Sequence, residues 1–288
     1  MQWAERCFDS LRKSTINPDV FVVDNGSTDG TQTYIQEHYP EVMFQQSNEN
    51  LGFGKANNIG LQYALDNEYD YVYLLNQDAW VMSDTFEKLI EISQKYPEYG
   101  ILSPFQMNAD LYHIDSKFET RIHISVPRTE MLSDFYSQKI ESVYPVSGVM
   151  AAHWLLTKRC LEEVGGFSPS FPHYSEDYNY VDRLFYWGLK IGVVPKLRVV
   201  HDRGWREDTV KQKIYLVKVG YIQFLSNPNM SLLSSFCQVC LSSVNISFKY
   251  HTIRPVINTI KILLKYNMIL KNRKISMSKR CAFLNWKN

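Results

Sequence analysis

DVFVVDNGSTDGT, residues 19–31, is the stretch whose reading decides the fold. DVFVV is short, continuously apolar and rich in Val, the pattern of a strand buried on both faces. Turn chemistry follows at once in Asp24-Asn25-Gly26-Ser27, and Asp29-Gly30-Thr31 then opens a helix through about His38. The same rhythm continues outward. Upstream, Trp3, Cys7, Phe8 and Leu11 recur at helical spacing across 2–13. Downstream come a strand at 42–45, a loop at 50–54 and a helix over 55–67. A second buried strand, YVYLL (71–75), ends in Asn76-Gln77-Asp78, and a helix from Ser83-Asp84 to about Lys95 is stopped by Pro97. This alternation predicts an α/β fold, a mostly parallel central sheet flanked by helices. Past residue 100 the pattern loosens. Short strands are expected near 100–103, 120–126 and 141–146, helices at 158–164 and 175–187, and a strand near 191–200.

Composition divides the chain in two. Of its 288 residues 45% are hydrophobic and the mean hydropathy is −0.28, which excludes a disordered chain and a multi-span membrane protein. The formal net charge of +1 conceals an asymmetry, because the last acidic residue is Asp208. Residues 1–208 hold 30 acids and 18 bases; residues 209–288 hold 13 bases and no acid. The expected organisation is therefore a domain over 1–208 and a basic, helical C-terminal extension over 209–288. In that extension Ile253, Val256, Ile257, Ile260, Leu263 and Leu264 line one helix face, with Arg254, Lys261 and Lys265 opposite. Such a helix packs on an acidic body or lies on a membrane surface. Basic charge continuing to Lys287 favours some membrane contact.

Five cysteines at irregular spacing argue for a reducing compartment, so a cytoplasmic protein, peripheral on the inner face of the cell membrane where its tail meets lipid. The lone Cys237-x-x-Cys240 lacks the second pair a structural zinc site needs. The opening MQWAERCFDS carries acids and no apolar run, unlike a secretory leader. Asn229 to Phe248 is too diluted by Ser, Gln and Asn to span a bilayer. No paired aromatic platform accompanies the basic tail, so no nucleic-acid partner is expected.

In parallel α/β sheets ligands bind beyond the carboxyl ends of the strands. Two predicted strands end in acids, Asp24 and Asp78, which points to one crevice. A single such acid would be explained by capping a turn; two at one sheet edge point to chemistry. NLGFGKANNIG (50–60) puts small residues and Lys55 at a loop-to-helix junction suited to phosphate, although it is not G-x-G-x-x-G. Glu176-Asp177 opens a helix, where a carboxylate is also an ordinary first-turn residue. His201 follows a strand and precedes Asp202-Arg203-Gly204.

Together VVDNGSTDGT (22–31), NLGFGKANNIG (50–60), LLNQDAWV (74–81), GGFSPSFPHYSED (165–177) and HDRG (201–204) resemble a family 2 glycosyltransferase of the GT-A fold, with bacterial rhamnosyltransferase-like enzymes as the nearest subgroup. The resemblance covers residues 1 to about 204. It implies an inverting enzyme that moves a sugar from a nucleoside-diphosphate donor to a glycan or lipid-linked acceptor in bacterial surface polysaccharide synthesis. By the same resemblance Asp78 ends the D-x-D element that holds Mg²⁺ or Mn²⁺, with Asn76 at its first position, and His201 assists with the metal or diphosphate. Asp24, Asn25, Lys55, Asn57 and Asn58 fall on the nucleotide-sugar side. Asp177 matches the catalytic base, with Glu176 and Arg183 on the acceptor side. Positions 24, 78 and 177 are then expected to line one cleft. A nucleotidyltransferase is disfavoured, because no Gly-rich basic phosphate loop stands near the start.

The family begins with an apolar strand before the helix that here reads WAERCFDSL, and this chain shows none. The expectation is a truncated chain lacking its first strand. That departure and Asn76 motivate the alternative, a catalytically impaired nucleotide-sugar-binding or scaffold protein.

Overall fold

A computed structural model describes residues 1–125, 128–204 and 209–285. Asp208, at the expected boundary, and Lys287 lie outside the described residues. The first half of the chain runs α1 (Ala4–Arg12), β1 (Phe21–Asp24), α2 (Thr31–His38), β2 (Met43–Gln46), α3 (Phe53–Asp66), β3 (Tyr71–Leu75), β4 (Ala79–Trp80), α4 (Thr85–Lys95) and β5 (Tyr99–Met107). It continues with α5 (Ser116–Ser125), α6 (Arg128–Ser137), β6 (Tyr144–Val146), β7 (His153–Thr157), α7 (Lys158–Val164), α8 (Glu176–Tyr186) and β8 (Lys190–His201). Four helices follow: α9 (Val210–Ser226), α10 (Leu232–Lys249), α11 (Arg254–Leu263) and α12 (Tyr266–Ser278). The chain forms two compact units. The first holds residues 1–50, 59–161 and 189–205; the second holds 51–58, 162–188 and 206–288.

In the first unit the expected mostly parallel sheet is replaced by a mixed one, ordered β3-β7-β5-β8-β4 with β6 beside β8. β5 and β8 run parallel; β3–β7, β5–β7, β4–β8 and β6–β8 are antiparallel. Helix–strand alternation predicts direction only for strands joined by one crossover. β6, β7 and β8 pair with strands remote in sequence, where the alternation carries no information. β1 and β2 are parallel in a separate two-stranded sheet, Phe21 opposite Met43 and Asp24 opposite Gln46. Among the described residues β1 pairs with β2 alone, and β3 with β7 alone.

Apolar clusters of described residues hold this unit. Phe8 and Leu11 of α1, Ile35 of α2, Phe86 of α4 and Val199 of β8 form the first, with Val22, Phe44 and Tyr73 partly buried against it. Both sheets therefore share one apolar layer. Leu89, Tyr99, Leu102, Leu155 and Val194 form the second, beneath α4. Residues 120–125 of the segment expected as a strand near 120–126 are helical instead, and residue 126 lies outside the described residues. Asp115 accepts the Phe118 backbone N–H at 2.7 Å as a helix N-cap, and Phe118 and Ile122, four apart, are both buried.

The second unit is built from α8, the loops flanking it and α9–α12. Tyr221 and Leu225 of α9, Val239 of α10, Ile262 of α11 and Ile269 of α12 make its core. A capping box at Thr209 and Gln212 starts α9. Gly165 has φ +84°, and a Cβ there would lie 2.1 Å from the Ala282 carbonyl oxygen. Only glycine lets that loop meet the chain's last described turn.

Candidate active site

In the first unit the strand ends gather a cluster of titratable groups. β4 pairs antiparallel with β8 so that Ala79 faces His201, and Asp202 donates its N–H to the Asp78 carbonyl oxygen at 2.7 Å. This register fixes Asp78 against His201: its Oδ1 lies 3.4 Å from His201 Nε2. His201 is 1% exposed, whereas Asp78 keeps 22% of its side chain open. Burial pushes the Asp78 carboxyl up, but the His201 hydrogen bond and the charges of His201 and Arg203 outweigh it. The group titrates below the ordinary carboxylate range. An ionised carboxylate is thus held at the mouth of the cluster.

Two residues that no sequence motif marks as functional stand behind His201. Asp115, 1% exposed, places Oδ2 3.7 Å from His201 Nδ1 and 3.3 Å from Arg203 Nε. The contact with Arg203 is Coulombic, since neither atom has a hydrogen-bond partner among the described residues. Arg203 Nη2 lies 3.0 Å from His201 Nδ1. The same Nη2 lies 3.3 Å from His201 Nε2. His153, fully buried, lies under the cluster with its ring 6.4 Å from that of His201. Its Nε2 is 2.9 Å from the Val200 carbonyl oxygen and its Nδ1 2.8 Å from Tyr73 Oη. Burial drives its pKa down to about 3, so it stays neutral and ties β3, β7 and β8 together.

These donors suit a divalent cation that is shared with phosphate oxygens. Asp78 offers one carboxylate and His201 one imidazole, a mixed O/N set acceptable to Mn²⁺. Asp115 stands where a carboxylate would receive the other imidazole N–H of a metal-bound His201. Among the described residues no group of three or more His, Cys, Asp and Glu could hold a metal. The remaining ligands would have to come from donor and water.

Asp24 serves first as a turn organiser. It is buried, and its Oδ2 accepts the Ser27 N–H at 2.8 Å. Asn76 donates its backbone N–H to Ala152 O. Trp3 Nε1 donates to Asp202 Oδ2 at 3.0 Å, which anchors α1 beside β8's end.

The second unit holds the other group of expected site residues. Asn58 makes a two-bond bracket with Phe167: its Oδ1 accepts the Phe167 N–H at 2.6 Å, and its Nδ2 donates to the Phe167 carbonyl at 2.9 Å. Gly52 (φ +77°) has the Pro172 carbonyl oxygen 2.4 Å from where a Cβ would stand. The motifs at 50–58 and 165–177 are thus two sides of one packed loop assembly. Asn57 bonds the Phe53 carbonyl within its own helix, and Lys55 is exposed. Arg183 is fully buried, with its fork on the Val164 and Gly166 carbonyls and its cation over Tyr180 and Phe283. It shapes the Gly165-Gly166-Phe167 loop.

At the start of α8, Tyr174 and Ser175 are consecutive non-glycine residues at φ +65°. Backbone held there costs energy and gathers at functional sites. Glu176 is 6% exposed, and its Oε2 has no hydrogen-bond partner among the described residues. Burial first, and the neighbouring Asp177 charge second, raise its pKa to about 7. The helix N-terminus favours a charged carboxylate here, but desolvation wins. Asp177 is more open, with Oδ1 accepting the Tyr178 N–H at 2.8 Å. Below about pH 7 the pair therefore carries its negative charge mainly on Asp177.

A family model described as glycosyl transferase family 2 matches residues 2–164. An N-acetylglucosaminyl-diphospho-decaprenol L-rhamnosyltransferase of Mycobacterium tuberculosis is 28% identical over 219 residues, 69% of this chain and 71% of that protein. Two solved structures share the fold. TarS of S. aureus with UDP-GlcNAc gives a TM-score of 0.55 at 14% identity, covering 96% of this chain and 80% of that one. The mannosyltransferase PcManGT of Pyrobaculum calidifontis with GDP-Man and Mn²⁺ gives 0.52 at 18% identity, covering 82% and 60%.

Proposed function

Because the chain belongs to glycosyl transferase family 2, we propose that it transfers a sugar, with inversion, from a nucleoside-diphosphate donor to a lipid-linked saccharide. The observation that carries the reading is the Asp78–His201 pair, 3.4 Å apart at adjoining strand ends, with Asp78 held ionised. Asp78 and His201 would hold Mg²⁺ or Mn²⁺, with Asp115 orienting the imidazole. The cation would supply positive charge to the departing diphosphate. Asp24, Asn25 and Lys55 take the nucleotide side. Asn57, Asn58 and Arg183 serve through the loops they hold, and Asn76 through the strand end that presents Asp78.

In the transfer itself the acceptor hydroxyl oxygen attacks the anomeric carbon as the bond to the diphosphate breaks, and its proton passes to Asp177. Glu176, whose carboxyl titrates near 7, leaves Asp177 as the charged member of the pair below that pH. The mycobacterial relative's name points to a deoxyhexose donor and a polyprenyl-diphosphate acceptor, so the reaction would belong to surface polysaccharide synthesis at the inner membrane face.

A thermal-shift screen of UDP, GDP, dTDP and CMP conjugates, with and without Mn²⁺, should find one that stabilises the chain in a Mn²⁺-dependent manner. With that donor, wild type should release nucleoside diphosphate while Asp177→Asn binds it and does not turn over. Binding without turnover by wild type, even with lipid-linked saccharide present, would favour a nucleotide-binding scaffold and overturn the transferase reading.

A further inference from the structure

α10 is built inside out. Its inward face, packed on α9 and α11, carries Ser235, Val239 and Ser243, all at or below 3% exposure. Its outward face carries Leu233, Cys237, Leu241, Val244 and Phe248 at helical spacing, with Leu233, Leu241 and Phe248 74%, 67% and 75% exposed. A helix meeting only water places its serines outward and its leucines inward. The small inward residues let neighbouring helices approach closely, which leaves the large apolar side chains to face outward.

α11 repeats the arrangement. Ile253, Ile257, Ile260 and Leu264 are exposed, while Pro255, Thr259 and Ile262 are buried. The charges are interleaved with these side chains. Phe248, Ile253, Ile260 and Leu264 are each followed by an exposed base, namely Lys249, Arg254, Lys261 and Lys265. From residue 209 onward there are 13 bases and no acid, so nothing in this stretch offsets the positive field.

We propose that the outward faces of α10 and α11 form a docking surface for an anionic phospholipid membrane, with apolar side chains entering the interface and lysines meeting the headgroups. The alternation of large apolar and basic side chains fits that occupant, as does a charge of one sign across the whole segment. The helices would lie on the bilayer. None of the described helices is long and apolar enough to cross one, and α10 carries five serines in 18 residues. The surface deepens the partner side of the transferase reading, which has a lipid-linked acceptor. Vesicle binding needs neither donor nor turnover, so either can fail alone.

The test is co-sedimentation of the full chain with phosphatidylcholine vesicles, with and without phosphatidylglycerol, at low and high salt. Binding should require phosphatidylglycerol and weaken as salt rises. Lys261→Glu combined with Lys265→Glu, both exposed, change the charge by four units and should weaken it by roughly six-hundredfold, at about fivefold per unit of charge. Leu241→Ser with Phe248→Ser should also weaken it while leaving the circular dichroism unchanged. Folded wild type that ignores anionic vesicles would overturn the proposal. So would a dimer by light scattering that Leu241→Ser dissociates, because the apolar face would then meet a second copy of the chain.

Discussion

Replacing Glu176 with Gln tests the electrostatic account of α8's first turn. In wild type the carboxyl titrates near 7 instead of 4.5, because burial and the Asp177 charge penalise its ionised form. The folded state therefore binds a proton more tightly than the unfolded chain. Stability from this group is fully present below about pH 4.5 and is lost as the pH rises through about 7. The span from 4.5 to about 7 corresponds to about 3 kcal/mol. Gln keeps the shape and cannot ionise, so above pH 8 the variant should be the more stable protein, by up to about 6 °C in Tm. His173, whose pKa burial lowers, contributes with the opposite sign, since its stability rises with pH toward 6.5. The informative quantity is therefore the difference between variant and wild type, in which His173 cancels. Urea or thermal melts from pH 5 to 8.5 measure it. If the difference stays flat across that range, Glu176 is ionised throughout and the division of charge between the two carboxylates is wrong.

Three further outcomes are expected. Asp115→Asn should weaken Mn²⁺-supported nucleotide binding by about 10–100-fold, as loss of a histidine's outer partner does, while metal-free nucleotide binding stays unchanged; calorimetry reads both. Asn58→Leu breaks both bonds to Phe167 and strands its backbone groups, so the chain should lose about 2–4 kcal/mol by denaturant titration. Gly52→Ala forces a Cβ to 2.4 Å from Pro172 O at φ +77° and should cost more than 1 kcal/mol, about the range for a strained position, detectable as a lower Tm.

An acid at a strand end was legible because an apolar run followed by Asp fixes both the strand and what stands at its end. Asp24 does end β1, but Asp78 stands three residues past β3 and directly before β4, and β1 and β3 lie in separate sheets and are only half-buried, so the two acids do not share one sheet edge. The strand directions were not legible. Those of β7 and β8 depend on long-range pairing, and the antiparallel register Leu75–His153 brings His153 beside Tyr73. Nothing local marks that histidine, which sits in an ordinary apolar run. Asp115 did carry a local mark, an Asp before a helical repeat, but Phe118, Thr120 and Ile122 alternate as a strand would. The cap and the burial of two residues four apart decided for the helix. Arg183 and Asn58 read as site residues from the motifs. In the structure their polar groups hold backbone carbonyls and an N–H of the Gly165–Phe167 region and its approach, so these residues build the loop.

The separate β1–β2 ribbon has a consequence for how donor recognition is shared out. A two-stranded ribbon is marginal by itself and leans on the common apolar layer. The turn at Asp24–Ser27 and the Asp78–His201 pair stand on different sheets, and amide exchange at Val22 and Val23 should run ahead of that at Leu102 and Val199. A nucleotide gripping the turn would slow exchange in the ribbon most, so part of its binding energy would go into ordering the hand that holds it.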